Sequence, residues 1–135
     1  PRLAGALLVE NLPTSETSSG HGTHVAGTVG GDGGGSSAGI YRGVAPGANL
    51  VGIGTGDAVF VFWALAGFDW LLENRARYNI KVVNNSWGTT GAYDPNDPTN
   101  KATARVHQAG VTVIFAAGNE GPGANTLNPY SAAPW

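Results

Sequence analysis

The most informative stretch of the chain reads Ser19-Gly20-His21-Gly22-Thr23-His24-Val25-Ala26-Gly27-Thr28. It predicts the start of a helix with an imidazole at its mouth, followed by small residues suited to tight packing. Histidine is the side chain that most readily exchanges protons near neutral pH. Gly20 and Gly22 have no Cβ, so they permit unusual backbone angles and the close approach of another segment. The stretch therefore marks His21 as a candidate general base.

Two other interpretations of this stretch stay open at this point. A histidine at a helix start is often a cap or a surface residue. His21 and His24 are three residues apart, so they would share one helix face and could together bind a metal ion. No third ligand is obvious, and the glutamate of a His-Glu-x-x-His zinc motif is absent. We therefore predict no metal here and interpret His24 as a packed or hydrogen-bonded structural residue.

Length, charge and composition exclude several classes of function. The chain has 135 residues, which suits one domain, and a net charge of -2 from 7 basic and 9 acidic residues. It has no basic patch, which argues against a nucleic-acid partner. The absence of cysteine excludes disulfides and thiol chemistry. The longest apolar run, Ala58 to Phe68, is shorter than the roughly 20 residues that span a bilayer, so no membrane partner is expected.

Strands and helices alternate along the chain. We predict a strand at 49–53, a helix at 58–78, a strand at 81–85, a helix opened by Asp97-Pro98 and ended by Gly110, and a strand at 111–117. Asp69, Glu73 and Arg77 are spaced to form a polar stripe on the first helix. The run at 111–117 is continuously apolar, as in a strand buried on both faces. Asp32 to Gly39 is predicted to be a flexible, solvent-exposed loop. The alternation predicts an α/β fold, with a parallel sheet and helices on both faces.

Two loops follow predicted strands at the edge where parallel sheets bind ligands. They are Asn85-Ser86-Trp87-Gly88 and Ala117-Gly118-Asn119-Glu120-Gly121. By itself Gly118-Asn119 is only a turn signal. Asn119, however, has a short neutral amide after a predicted buried strand, and it could donate a hydrogen bond to a developing oxyanion. Acyl transfer needs such a donor together with a nucleophile, a base and an orienting acid. Asn119 and His21 therefore indicate part of an acyl-transfer site.

Four segments resemble those of the subtilisin-like serine proteases, in that family's order. The stretch at 19–28 resembles the family's histidine motif, and Gly43-Val44-Ala45-Pro46-Gly47-Ala48 resembles the turn after its helix. Asn85-Ser86-Trp87-Gly88 looks like the family's substrate-binding strand end. Ala116-Ala117-Gly118-Asn119-Glu120-Gly121 looks like its oxyanion segment. These segments span nearly the whole chain, and the resemblance implies an incomplete subtilisin-like fold.

The resemblance also implies a role for each residue in peptide-bond hydrolysis. His21 would be the general base and Asn119 the oxyanion donor. The backbone of Ser86-Trp87-Gly88 would pair with an extended peptide, opposite a wall of Ala116-Ala117-Gly118, with Glu120 at the rim. We expect Trp87→Ala to change peptide affinity more than the fold.

The resemblance implies a peptide or protein substrate and an extracellular setting. No cofactor is expected in this chain. The family often binds calcium, but the sequence shows no matching ligand loop.

Two members of the family's catalytic triad are not found in the sequence. The family's order is acid, histidine, serine, but no aspartate precedes His21 and the Gly-Thr-Ser-Met-Ala segment is missing. Pro1-Arg2-Leu3 shows neither an initiator Met nor a signal-peptide pattern. We therefore interpret residues 1–135 as the central part of a peptidase domain, without its Asp-bearing and Ser-bearing parts. Such a chain is expected to be inactive by itself.

Two other classes of function compete with this interpretation. A dinucleotide-binding domain is suggested by Gly52-Ile53-Gly54-Thr55-Gly56-Asp57. Asp57, however, occupies the sixth position of the glycine motif, where a carboxylate would repel a pyrophosphate. Its acidic partner, Glu73, would lie inside a helix rather than at a strand end. A non-catalytic module that keeps the peptide groove without the chemistry stays open, and the full reading frame would distinguish it from an enzyme.

Overall fold

A computed structural model describes residues 2–7, 19–35, 39–56 and 59–135. The chain forms two compact units, Pro1–Ala58 and Val59–Trp135. The first contains strand β1 (Arg2–Leu7), helix α1 (His21–Gly30) and strand β2 (Asn49–Ile53). The second contains helix α2 (Val61–Asn74), strand β3 (Val82–Asn85), helix α3 (Pro98–Gln108), strand β4 (Thr112–Phe115) and a short 3-10 helix (Pro129–Ala132). The predicted helix start at 58 and Asp57 of the glycine motif lie outside the described residues.

Each unit contains a parallel strand pair, as the alternation of strands and helices predicts. β1 pairs with β2, with an irregularity between Leu3 and Gly5. β3 pairs with β4 in an even register that begins with Val82 opposite Thr112. Parallel strands need a crossover connection, and α1 and α3 lie in the two connections. In the described part of the chain each pair is a two-stranded sheet, and the predicted α/β class is confirmed.

The turn before β2 is held against the end of α1 by its backbone. The Gly43 N–H donates to the Gly31 carbonyl at 2.8 Å, and the next two N–H groups donate to carbonyls in the last turns of α1. A Cβ at Gly43 would lie 2.6 Å from the Gly31 nitrogen, so only glycine fits there. The Ala48 N–H then donates to the Ala45 carbonyl at 3.0 Å. The predicted turn at 43–48 thus connects α1 to β2 by close backbone packing.

The glycine-rich loop after α1 is closed at its base. Gly33 is buried with φ 80, and Arg42 Nε donates to the Asp32 carbonyl at 3.2 Å. The Gly34 N–H donates to the Asp32 carboxylate at 2.9 Å, which lowers the pKa of that carboxyl. The predicted solvent exposure is therefore wrong at Gly33, while residues 36–38 lie outside the described residues.

The core of the second unit includes side chains from α2, from α3 and from the residue before β4. Its buried apolar side chains are Ala64, Phe68, Leu71, Ala102, Val106, Val111 and Tyr130. α3 has the predicted caps: Asp97 accepts a hydrogen bond from the Thr99 N–H at 2.7 Å, and Pro98 is the first helical residue. Gly110, just past its end, has φ 83. The capping residues in the sequence therefore predicted both ends of this helix closely.

α2 is shorter than the sequence predicts. It ends at Asn74, four residues before the expected end. In the turns that follow, Asn79 takes φ 52, a left-handed conformation typical of helix ends. Arg77 falls outside the helix, so the predicted polar stripe is broken. Asp69 instead lies 3.5 Å from Arg105 of α3 in an exposed ion pair.

β4 is also shorter, and more exposed, than the apolar run at 111–117 predicts. It covers Thr112–Phe115, and exposed residues alternate with half-buried ones. Ile114 is 47% exposed, and Val82, on the same face of the sheet, is 52% exposed. Phe115, on the other face, packs on Tyr130. The predicted burial on both faces is therefore wrong, because in this unit one face of the sheet carries exposed apolar side chains.

Candidate functional site

His21 is the first residue of α1, so its imidazole lies at the mouth of that helix as predicted. Gly20 takes φ 65, a left-handed conformation that glycine adopts without strain. The His21 N–H donates to Ser19 Oγ at 3.3 Å, and His21 is exposed. Chain neighbours and the helix's own backbone apart, no described atom lies within 4 Å of a Cβ placed at Gly20 or Gly22.

His24 lies almost one turn further along α1. Of the two roles predicted for it, packed or hydrogen-bonded, the packed one is wrong, because His24 is exposed. Its carbonyl accepts a hydrogen bond from Thr28 Oγ1 at 3.0 Å. Within the described ranges, no group of three or more histidine, cysteine, aspartate or glutamate side chains is arranged to hold a metal ion.

In the second unit, the two segments predicted to bind the peptide leave the sheet side by side. Asn85, the last residue of β3, is opposite Phe115, the last residue of β4. The Ala116 N–H donates to the Asn85 carbonyl at 3.0 Å. Ser86-Trp87-Gly88 and Ala116-Ala117-Gly118 therefore begin at the same edge of the sheet, and we call them the two wall segments. The parallel pairing of β3 and β4 therefore brings together two segments that are about 30 residues apart in the sequence.

The Trp87 ring belongs to an aromatic cluster. Its centroid lies 6.5 Å from that of Phe68, 5.2 Å from Phe115 and 5.6 Å from Tyr130. Edge-to-face and tilted pairs at these distances are favourable packing arrangements. The Trp87 side chain therefore anchors the end of β3 to α2 and to the 3-10 helix. The packing therefore gives Trp87 a structural role in addition to the predicted role in peptide binding.

Asn128 connects the two wall segments, and the sequence analysis missed it. Its Nδ2 donates to the Trp87 carbonyl at 3.1 Å and to the Ala116 carbonyl at 2.8 Å. Its backbone N–H donates to the Ala117 carbonyl at 2.7 Å, and its Oδ1 accepts from the Tyr130 N–H at 3.2 Å. The residue is 2% exposed. Asn128-Pro129 is a recognisable cap signal for the 3-10 helix, but that signal does not indicate contacts with distant strands.

Two glycines in the wall segments lie directly against Asn128. A Cβ at Gly88 would overlap the side-chain amide of Asn128. Gly118 has φ 107, and a Cβ there would lie 3.4 Å from the Asn128 nitrogen. Both positions therefore depend on glycine, one for space and the other mainly for its backbone conformation.

Asn119 follows Gly118 in a segment without regular secondary structure beyond β4. Asn119 and Glu120 are both exposed. The side-chain amide of Asn119 is thus accessible at the end of a parallel strand, where the sequence placed it. Asn119 belongs to the second unit and His21 to the first.

The subtilase family model matches residues 9–133, which is nearly the whole chain. The chain belongs to the subtilase family. This confirms the resemblance carried by the histidine and oxyanion segments. The start of α2 separately argues against a dinucleotide-binding domain. The motif of such a domain needs a helix that begins at the glycine loop, whereas α2 begins at Val61.

The subtilase relatives carry protease names. The serine protease AprX of Bacillus subtilis is 35% identical over 120 residues, which cover 80% of this chain and 26% of the relative. The alkaline proteinase of Hapsidospora chrysogena is 35% identical over 119 residues, covering 84% and 27%. The alkaline serine exoprotease A of Vibrio alginolyticus is 32% identical over 137 residues, covering 97% and 22%. This subtilase chain thus spans about a quarter of the length of these relatives. In its described part, no helix is long and apolar enough to cross a membrane.

Proposed function

We propose that this chain supplies the general base and the oxyanion donor of a serine endopeptidase. The subtilase match over residues 9–133 carries the proposal, and the geometry beyond β3 and β4 supports it. A serine hydroxyl attacks the peptide carbonyl, His21 takes up its proton, and an aspartate orients the imidazole. Serine and aspartate would come from other segments of the full-length protein.

Asn119 stabilises the charge that develops in the transition state. Its exposed amide follows the end of β4, next to the wall segments. An N–H donor placed where the oxyanion forms binds the transition state more strongly than the substrate. The role assigned to Asn119 therefore concerns turnover more than substrate affinity.

The peptide pairs with the outer edge of β3, the edge away from β4. The carbonyls of Asn85 and Trp87 are bonded on the β4 side, to the residue after β4 and to Asn128. Successive residues of an extended chain direct their backbone groups to opposite edges. We propose that Ser86 and Gly88 continue this alternation past the end of β3 and present N–H and C=O groups at the outer edge, where an extended peptide adds as a strand. Trp87 contributes by holding this orientation through its ring.

The wall segment Ala116-Ala117-Gly118 lines the pocket for the residue before the scissile bond. Its small side chains leave room for a large apolar group, and Glu120 at the rim favours a basic one. The substrates would be peptides or proteins, in an extracellular setting, and this chain would hold no cofactor. Cleavage only after acidic residues would contradict the assignment of this pocket.

Serine-directed inhibition of the full-length protein tests the proposed function. Peptide hydrolysis should be abolished by a phosphonate or sulfonyl fluoride that modifies the catalytic serine. Inhibition by a chelator alone, with no effect of the serine reagent, would contradict it. Peptide binding without any hydrolysis would instead identify a non-catalytic peptide-binding module.

A further inference from the structure

The first turn of α3 buries a polar atom that the packing of the second unit leaves unsatisfied. Asn100 is 1% exposed, and its Oδ1 has no hydrogen-bond partner among the described residues. Its Nδ2 donates to the Asp94 carbonyl at 2.7 Å, which fixes the orientation of the amide. An amide oxygen only accepts, so its partner has to be a donor or a cation. A buried acceptor of this kind indicates a bound water or ion.

The turn before α3 brings two carboxylates to the same place. Asp97 Oδ1 accepts from the N–H groups of Thr99 and Asn100, at 2.7 and 3.3 Å. Asp94 Oδ1 accepts from the Asn96 N–H at 2.8 Å. Each carboxylate has a second oxygen, and within the described residues neither is in an ion pair. Helical side chains tilt toward the N-terminus, so the Asn100 amide lies over the turn that carries both carboxylates.

We propose that Asp94, Asp97 and Asn100 form a binding site for a structural calcium ion. Calcium takes roughly six to eight oxygen ligands, from carboxylates, amide carbonyls and water, in a flexible geometry. The two carboxylates balance its charge, and both are at least partly exposed, so water completes the shell. Two carboxylates suffice, which agrees with the absence from the described ranges of a metal-holding group of three histidine, cysteine or acidic side chains. The ion would stabilise the fold and is not a cofactor, so the site does not depend on the proposed function.

An anion does not fit this end of α3, although helix N-termini favour anions in general. The macrodipole of a helix supplies about half a positive charge at its N-terminus, and the turn carries two full negative charges. The N–H groups of Thr99 and Asn100 already bind the Asp97 carboxylate. The Lys101 N–H donates to the Asp97 carbonyl at 3.0 Å. The donors that an anion needs are therefore occupied, and the group left over is an acceptor.

Thr99 offers a matched control in the same turn of α3. It is also 1% exposed, and its Oγ1 also lacks a partner in the described part of the chain. Successive residues of a helix point about 100° apart, so its hydroxyl does not share the direction of the Asn100 amide. Thr99→Val removes a buried hydroxyl and leaves the three proposed ligands in place. Asn100→Leu removes the amide oxygen with little change in side-chain shape.

The test measures calcium binding by the full-length protein, freed of metal with a chelator and titrated with CaCl2 in a calorimeter. Asn100→Leu should lower the number of bound calcium ions by one per chain, and Thr99→Val should leave that number unchanged. The comparison with the unmodified protein removes calcium sites elsewhere in the molecule from the difference. Unchanged calcium binding in Asn100→Leu, or an equal loss in both variants, would overturn the proposal.

Asn100→Asp provides a second test, which decides the question if Asn100→Leu fails to fold. It keeps an acceptor oxygen and adds a third negative charge. If calcium binds, its affinity should rise on the order of tenfold, because affinity follows ligand charge. Calcium should then raise the melting temperature of Asn100→Asp more than that of the unmodified protein, with KCl of equal ionic strength as the control for screening.

A bound water in place of the ion predicts the opposite result for Asn100→Asp. The new carboxylate would then be buried beside two others without a compensating charge. The variant would be destabilised to the same extent with CaCl2 and with KCl. That result would overturn the proposal.

Discussion

At the scale of the residue, position along one helix distinguishes two exposed histidines. His21 and His24 are both exposed on α1 and lie three residues apart. His21 is the first helical residue, beside Gly20 with φ 65, whereas His24 lies almost one turn inside the helix. The proposed mechanism requires only the imidazole at the mouth of the helix. Two identical substitutions should therefore differ in their effect.

His21→Ala in the full-length protein should reduce peptide hydrolysis to the background level, because the nucleophile then has no base. His24→Ala, the matched control on the same helix, should retain most of the activity. Steady-state kinetics on one peptide substrate, with the melting temperature of both variants, measures the difference. Equal loss of activity in the two variants would indicate a structural role for this helix rather than a catalytic role for His21.

Asn119→Ala should lower kcat and leave KM nearly unchanged, because the amide acts on charge that exists only in the transition state. The established loss for the corresponding asparagine of subtilisin is roughly 10²–10³ in kcat, and we expect a loss of that order here. Asn96→Ala, which changes another exposed asparagine in the same unit, is the control. Unchanged turnover in Asn119→Ala would contradict the proposed role of Asn119 as the oxyanion donor.

At the scale of the element, the end of β3 is held by side chains as well as by the strand ladder. The Trp87 ring contacts rings on α2, on β4 and on the 3-10 helix. These contacts fix which backbone groups of the following segment face outward. The end of β3 therefore contributes to the packing of the second unit as well as to the proposed binding surface.

Trp87→Ala should accordingly destabilise the protein, by on the order of 3 kcal/mol in the free energy of unfolding, because it removes a large ring from the cluster. Phe62→Ala is the control, since Phe62 lies on α2 but is 80% exposed. Chemical denaturation of both variants in the full-length protein measures the contrast. A stable Trp87→Ala variant with weakened peptide binding would show that the ring serves the substrate directly.

At the scale of the whole molecule, each unit leaves apolar surface exposed. Val44 is 90% exposed in the first unit, and Ile114 and Val82 share an exposed sheet face in the second. Two-stranded sheets are marginal by themselves, and both strands of each are edges in the described residues. Such surfaces favour association when nothing covers them.

The 135-residue chain made alone should show no protease activity and should fold poorly. His21 would have no serine to activate, and the exposed faces would promote aggregation. Size-exclusion chromatography, thermal unfolding and a casein assay test both expectations. A monodisperse monomer with cooperative unfolding would contradict the second. Hydrolysis abolished by His21→Ala would contradict the first and indicate a nucleophile within this chain.

The sequence by itself determined the features that depend on near neighbours along the chain. Asp97, Pro98 and Gly110 bound α3 closely, because capping acts within a few residues. The limits of β2 and the start of α1 at His21 follow from local patterns in the same way. The order of the motifs was also enough to identify the family. The alternation of strands and helices was enough to predict parallel pairing.

Only the tertiary structure decided how distant segments meet. Asn128 binds Trp87 across 41 positions of sequence, and a local cap signal carries no information about such a partner. The inward Trp87 ring and the one-sided packing of β4 likewise depend on which elements lie beside them. Apolar composition shows that a residue is able to be buried, whereas its burial depends on what the rest of the fold places against it.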